Sequence, residues 1–389
     1  MQFLNLPYTK PTPGKQLAPA LSADSFAYIA ALSDLLLKDA RCRPFADLLA
    51  LGFWLRPAHL QKILQPYHTQ PYLLRPLGLV FHNAPANVDS LFMYPALLSL
   101  LMGNQNLIRL SSRAGGSAAL LLTLVNELAG QFPAENQRLM FVRTAHQDAE
   151  LSAWLQHVDG RLLWGSDTAI IAQRQVPVPA HCRDLPFAHK FSLCLLDAKA
   201  LLQCNDADLQ AMQALFVRDH LSYAQQTCAS AKLLVWRGEP ATVQQAQQRF
   251  WPALEQQQQL TDSEHFQALA AAQQLIAGSD NYQQLQLRSL IRLSAAALDP
   301  QMIALHPGCG FFIEMTAATL DELTPQLQQA HQTISYWGLD PAELARWQQT
   351  LLIGVDRLVP LGQSLQFHPI WDGMDLPLQL ARVSLVLPH

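Results

Sequence analysis

The sequence predicts an α/β protein built on two mostly parallel sheets, each covered by helices on both faces. Two observations carry that expectation. From residue 71 to 360, short continuous apolar runs alternate with helix-like stretches. Strands that are apolar throughout, rather than at every second residue, are those buried on both faces of a parallel sheet. The composition agrees: of 389 residues, half are hydrophobic and 14% are charged. That fills sizeable cores in two domains and excludes a disordered chain.

Taken in order, residues 1–70 are a Pro-rich lead followed by helices over 22–37 and 44–54, where apolar residues recur at three- and four-residue spacing. No chemistry is visible there, and a cap, channel wall or packing layer is expected. Strands follow over 77–81, 106–110, 138–142, 161–164, 191–196 and 232–236, separated by helices over 89–102, 116–131, 147–157 and 206–218. The Gln-rich stretches 243–260 and 267–287 carry Ala, Leu, Phe and Trp at helical spacing and read as surface helices with a neutral polar face. A second alternating unit is completed by strands over 310–315, 332–338 and 351–360, with helices over 320–332 and 341–349. The expected divisions are 1–70, 71–222, 223–360 and an extended Pro-containing segment, 361–389.

The net charge is −4 with no basic or acidic block, so nucleic acid is not an expected partner. Six cysteines, at 42, 182, 194, 204, 228 and 309, include no Cys-x-x-Cys pair, which suits a reducing compartment better than a disulfide framework. His306-Pro-Gly-Cys309 offers two metal ligands where a site needs more, so no metal is expected. The N-terminus lacks a basic region followed by an apolar core. The apolar run 91–102 is too short to span a bilayer and contains Pro95. A soluble, cytoplasmic protein is the expectation.

One stretch organises the candidate chemistry: Ser222-Tyr-Ala-Gln-Gln-Thr-Cys-Ala-Ser-Ala-Lys-Leu-Leu-Val-Trp236. A small-residue turn carries Cys228, and the run 232–236 reads as a buried strand. Cys228 is either a small buried hydrophobe or a thiolate at a strand edge, able to attack a carbonyl or thioester. Upstream, a strand over 77–81 runs into a turn in which Asn87 and Asp89 precede a helix. Asn87 either caps that helix or offers its amide to an oxyanion beside free helix N-terminal amides. In Leu101-Met-Gly-Asn-Gln-Asn-Leu-Ile-Arg-Leu-Ser-Ser-Arg113, Arg109 and Arg113 are either solvated surface cations or bidentate partners for a phosphate. Leu162-Leu-Trp-Gly-Ser-Asp-Thr-Ala-Ile170 places Gly165 and Ser166 at a strand-to-helix turn, where free N–H groups bind anions.

These segments in this order resemble the aldehyde dehydrogenase superfamily. Gln226-Thr-Cys228-Ala-Ser230 resembles its nucleophile segment, and the stretch through Asn87 resembles its oxyanion element, with Asp89 where that family usually has Pro. The Gly103-Asn104 strand resembles its ribose-holding strand, with Arg109 at the usual Lys position and Ser111 following. Trp164-Gly-Ser166 resembles its dinucleotide turn. Leu185-Pro-Phe-Ala-His-Lys-Phe-Ser192 falls where the dehydrogenases carry the Glu that activates hydrolytic water, and Pro186 occupies the Glu position. Arg357-Leu-Val-Pro-Leu-Gly362, the following Trp371-Asp-Gly373 and Arg382 resemble the bacterial-luminescence-type (LuxC-like) acyl-CoA reductases, over roughly 71–389.

The resemblance implies an aldehyde-dehydrogenase-like fold: two doubly wound αβα domains, a Rossmann-like cofactor domain over 71–222 and a catalytic domain over 223–360. It implies NADPH-dependent reduction of a fatty acyl-CoA or acyl-carrier-protein thioester to aldehyde. Cys228 and Asn87 are its catalytic residues, and Arg109, Ser111, Arg113, Gly165, Ser166 and, at a strand end, Glu314 hold the cofactor. Without a Glu base, acyl exchange is favoured over hydrolysis. The resemblance also implies long-chain acyl groups, an acyl-protein synthetase as partner and a homo-oligomer. The alternatives are aldehyde oxidation on the same fold, or a degenerate, non-catalytic partner subunit.

Overall fold

The computed structural model describes residues 1–5, 12–14, 16–84, 90–110, 115–145, 148–257 and 260–385. The chain forms two units: Met1–Ala188 together with Phe367–His389, and His189–Gln366.

The first unit is built on strands β1 (Gln2–Phe3), β3 (Leu79–Asn83), β4 (Gln105–Arg109), β5 (Leu139–Arg143), β6 (Gly160–Trp164) and β7 (Arg183–Phe187), while β2 (Leu73–Pro76) lies outside its sheet. The sheet order is β1-β5-β4-β3-β6-β7. All its pairs are parallel except the edge pair β1–β5. The parallel winding therefore starts at β3, runs out through β4 and β5, and returns to β6 on the other side of β3. That reversal opens a crevice at the carboxyl ends of β3 and β6, the place where doubly wound sheets bind ligands. The run 91–102 is explained by burial: in helix Met93–Leu101 every residue but Tyr94 is buried. No described helix is long and apolar enough to cross a membrane.

The second unit contains β8 (Phe191–Asp197), β9 (Ala231–Arg237), β10 (Tyr282–Leu287), β11 (Ile291–Ala295), β12 (Phe311–Ala317), β13 (His331–Trp337) and β14 (Arg357–Pro360). They form one sheet in the order β10-β11-β12-β9-β8-β13-β14, parallel except for β10–β11. Its central strands feed two cores. Leu193, Leu195, Leu233, Val235 and Ile313 pack on one face, and Cys194, Leu196, Leu234, Trp236 and Phe312 on the other. Successive residues of a strand point to opposite faces, so a strand buried on both is apolar throughout.

Several expectations need correction. The unit boundary falls between Ala188 and His189 rather than after 222, because β8 is hydrogen-bonded to β9 and β13. Residues 1–70 are part of the first unit rather than a separate cap: Arg138 donates to Leu100 O at 3.0 Å and to Ser25 Oγ at 2.7 Å, tying helix Ala23–Lys38 to the sheet. The helix expected over 267–287 is helix Asp262–Gly278 followed by edge strand β10. The helix expected over 320–332 is reduced to a single turn, Thr324–Gln326, where Pro325 lacks the N–H a longer helix needs. Strand β7 was not expected; it contains Pro186, which its edge position tolerates.

Four histidines are buried in neutral form. Burial pulls His82 and His331 down to about 4, His220 to about 3, and His306 well below its ordinary value of 6.5. Each folded-state value lies below the unfolded one, so the unfolded chain takes up protons first as the pH falls. Stability should be insensitive to these groups above about pH 6.5, and lost below it by up to about 1.4 kcal/mol per pH unit per histidine. Urea midpoints measured from about pH 7 down to about pH 5 should drop steeply. A flat profile would mean that the rings are charged in the fold.

Candidate active site

Cys228 lies in the second unit, in a turn just ahead of β9. Helix Asp206–Phe216 runs into a π-turn, Val217–Leu221, an irregularity frequent at functional sites. Tyr223, Ala224 and Gln225 then adopt left-handed φ angles of 53°, 51° and 61°. Such a conformation costs a non-glycine residue about 1–2 kcal/mol, so surrounding bonds must hold it. They do: Gln225, fully buried, donates to Ala231 O at 2.8 Å and Phe311 O at 3.0 Å. The Cys309 N–H donates to Ala224 O at 2.8 Å, and Gln226 Nε2 to Pro307 O at 2.6 Å.

The turn itself is clamped from three sides. Ser192 Oγ donates to Cys228 O at 2.6 Å. Ser230 Oγ donates to Asp219 O at 2.9 Å, so in the 2.6 Å pair between Thr227 and Ser230 it is the Thr227 hydroxyl that donates. Lys232 Nζ donates to Thr227 O at 3.3 Å. Beneath, the Ala231 N–H donates to His220 Nδ1 at 2.9 Å, which leaves the proton on Nε2 to reach Ser335 Oγ at 3.0 Å. His220 therefore positions the start of β9. Cys228 is half-buried, as are Cys182 and Cys204, whereas Cys42, Cys194 and Cys309 are buried; burial pushes Cys182 up to about 11, Cys194 up to about 12, and Cys42 and Cys309 above their ordinary value.

The C-terminal signature turns out to be scaffold. Asp219 Oδ2 accepts from the amides of Gly362 at 2.6 Å and Ser364 at 3.1 Å, and Arg218 donates to Gly362 O. The Pro-x-Gly loop after β14 is thus docked on the π-turn that precedes Cys228. Arg357 donates to Ser364 O and Gln366 O, closing the same loop. In the first unit, Trp371-Asp-Gly373 is a tight hairpin turn between β15 (Ile370–Trp371) and β16 (Met374–Asp375). Asp372 and Gly373 both have positive φ, 49° and 71°, the geometry that favours Asp-Gly. Trp371 stacks on Phe367, whose carbonyl accepts from Trp54 Nε1 at 2.8 Å. Arg382 lies in β17 (Ala381–Ser384), paired with β2.

At the carboxyl edge of the first sheet, Arg109 is half-buried. Its hydrogen bonds go to neutral acceptors, Asn83 Oδ1 at 3.0 Å and Thr144 O at 3.1 Å. Burial lowers its pKa, as expected of a cation for which no carboxylate partner stands among the described residues. Asn83 in turn donates to Gln173 Oε1 at 2.7 Å. These groups line a cavity with Phe81, Leu151, Leu155 and Val176. Gly165 has φ +151°, and a Cβ there would meet the Ala169 Cβ at 3.0 Å, so this turn requires glycine. Ser166 caps helix Asp167–Arg174, accepting from the Ala169 N–H. A guanidinium with no carboxylate partner among the described residues, a glycine turn at a helix start and an apolar shelf at the switch of strand order fit a dinucleotide. Asp167, in the first helical turn, adds a negative charge there.

Asn87, Ser111 and Arg113 lie outside the described residues. Glu314 is corrected. It is 1% exposed, and its oxygens accept from Trp236 Nε1 (2.6 Å), Gln247 Nε2 (2.9 Å), Trp251 Nε1 (3.1 Å) and Arg292 Nη1 (3.0 Å). Four donors occupy the carboxylate, which braces the second core and offers nothing to a ribose. Sequence reasoning missed Asn83, Gln173, Asp219 and Lys232. Only Lys232 left a signal, a charge opening an otherwise apolar strand.

Residues 61–383 match the model of the acyl-CoA reductase (LuxC) family. Among solved structures the chain is similar to a 1-pyrroline-5-carboxylate dehydrogenase from Thermus with bound NAD (13% identity, 93% of this chain and 80% of that chain, TM-score 0.65). It is also similar to an NAD-dependent benzaldehyde dehydrogenase from Corynebacterium glutamicum (13%, 95% and 86%, TM-score 0.65). A third is an aldehyde dehydrogenase from Brucella melitensis biovar abortus 2308 (13%, 93% and 84%, TM-score 0.65). No curated protein sequence matches. At these identities the structures establish the fold, that of the aldehyde dehydrogenases. The chain belongs to the LuxC family of acyl-CoA reductases, oxidoreductases of acyl and aldehyde groups.

Proposed function

We propose that this protein reduces a fatty acyl thioester, carried on CoA or on an acyl-carrier protein, to the aldehyde with NADPH as reductant. The observation that carries this reading is the half-buried Cys228, held in a turn clamped by Ser192, Ser230 and Lys232. The Cys228 thiolate attacks the thioester carbonyl. Asn87 and the Cys228 backbone amide are assigned to the oxyanion that forms. Collapse breaks the bond between the acyl carbon and the carrier sulfur, the carrier leaves and takes up a proton as its thiol, and the acyl group stays on Cys228. Pro186, in strand β7 where a hydrolytic Glu is expected, leaves no base at that position to direct water at the acyl-enzyme. A bound nicotinamide dinucleotide would supply the hydride to the acyl carbon; the bond from that carbon to Cys228 Sγ then breaks, the aldehyde leaves, and Cys228 remains as the thiolate for the next cycle. Arg109, Gly165 and Ser166, with Ser111 and Arg113, are assigned to hold it. Long-chain acyl groups, an acyl-protein synthetase partner, a cytoplasmic location and a homo-oligomer complete the proposal.

The test is NADPH oxidation by purified protein against acyl-CoAs of increasing chain length. Oxidation that depends on acyl-CoA supports the reading. Reduction of NADP driven by aldehyde without free CoA would replace it with aldehyde oxidation. The cofactor assignment has its own prediction. Arg109→Leu should weaken NADPH binding about tenfold or more, the loss of one charge-assisted phosphate contact, and leave NADH binding unchanged in a fluorescence titration. Equal loss for both nucleotides would place Arg109 away from the 2′-phosphate.

A further inference from the structure

β8 and β9 pair in parallel with a register shift: Ser192 is opposite Ala231, but Leu193 is opposite Leu233. Lys232 is the extra residue of that bulge. A bulge re-aims the side chain it displaces and is over-represented beside active sites. Here the lysine is carried inside the fold, 6% exposed, and its ammonium is bonded to Thr227 O at 3.3 Å, one residue from the nucleophile. No carboxylate pairs with it among the described residues, and a buried lysine in such a place is costly unless an anion compensates it.

We propose that Lys232, aimed by this bulge, is the positioning residue whose ammonium keeps Cys228 ionised and ready to attack. The inference rests on Cys228 being the nucleophile. Burial lowers the pKa of Lys232, and the charge of Cys228 opposes that fall. Among the described residues the other titratable groups form no ion pair with it. His220, under the start of β9, and His306, ahead of β12, are both held neutral and both feel the lysine's charge. His189, ahead of β8, acts on His306. Asp219 binds the amides of Gly362 and Ser364 through Oδ2, and Asp356 lies 3.5 Å from Lys190. The thiolate is the anion that compensates the ammonium, as a neighbouring lysine lowers the pKa of a reactive cysteine. Cys228 loses its proton to solvent before substrate arrives, so no separate base is needed for the attack.

The test is the pH dependence of iodoacetamide alkylation at Cys228, followed by mass spectrometry of the peptide that carries it. In the unmodified protein the midpoint is expected below about pH 7.5; a midpoint at the ordinary thiol value, about 8.5, would overturn the proposal without any variant. Lys232→Met keeps the apolar stem and should move the midpoint up by about one pH unit or more, slowing alkylation near neutral pH about tenfold. Lys232→Arg should restore the low midpoint, which a purely structural lysine would not require. Acyl transfer from acyl-CoA to Cys228 is measured on the same unmodified sample. If Cys228 takes the acyl group but its midpoint is unmoved in Lys232→Met, the role of Lys232 fails alone. If it takes no acyl group, the reading beneath it fails too.

Discussion

Cys228→Ala is expected to abolish acyl-CoA-dependent NADPH oxidation, by about ten-thousandfold or more, the scale seen when a covalent nucleophile is removed. The loss falls on the chemical step. NADPH affinity and the urea midpoint stay near those of the parent, because the side chain is half-buried and its removal leaves the backbone bond from Ser192 to the residue 228 carbonyl in place. Incubation with acyl-CoA alone should acylate the parent at residue 228 and leave the variant unlabelled, as read by intact mass. Four of the five other cysteines are poor competitors: burial raises the thiol pKa of Cys42, Cys182, Cys194 and Cys309, and the thiol is not the reactive form. Acylation of Cys309 with the rate preserved would move the nucleophile and overturn the assignment.

Glu314→Leu should destabilise the second unit by about 3–5 kcal/mol, the range found when one partner of a buried, hydrogen-bonded charge network is removed. Arg292 keeps a partner, Glu255, at 3.2 Å. The loss therefore sits mainly with the Trp236 and Trp251 indole N–H groups and the Gln247 amide, which lose their shared acceptor inside the core. Glu314→Gln retains an oxygen for those donors and should cost less. Urea unfolding measures the difference. NADPH binding by the folded protein, titrated well below the unfolding midpoint, should be unchanged in both variants. A weakened cofactor affinity with an unchanged midpoint would return Glu314 to the ribose.

Much of the fold was legible because a strand buried on both faces is apolar along its length. Of the strands expected from that pattern, 191–196 and 232–236 lie within β8 and β9, and 77–81 overlaps β3. Where the apolar signal fails, the expectation failed with it. β10 is an edge strand of largely glutamine, and β7 carries a proline. Cys228 was legible because its flanking residues are local, and the structure shows what they do: Ser230 and Thr227 build the turn, and Gln226 anchors it to Pro307. By itself the sequence determined the family, the α/β class and the nucleophile candidate, all written in short contiguous patterns. Only the tertiary structure decided the unit boundary, the bracing role of Glu314, the clamp between Asp219 and the 362–364 loop, and the aim of Lys232. Each depends on groups distant along the chain: Asp219 meets residues 143 and 145 positions away, and Glu314 accepts from donors 22 to 78 positions away. Separations of that length are set by strand pairing and packing, which no local pattern encodes.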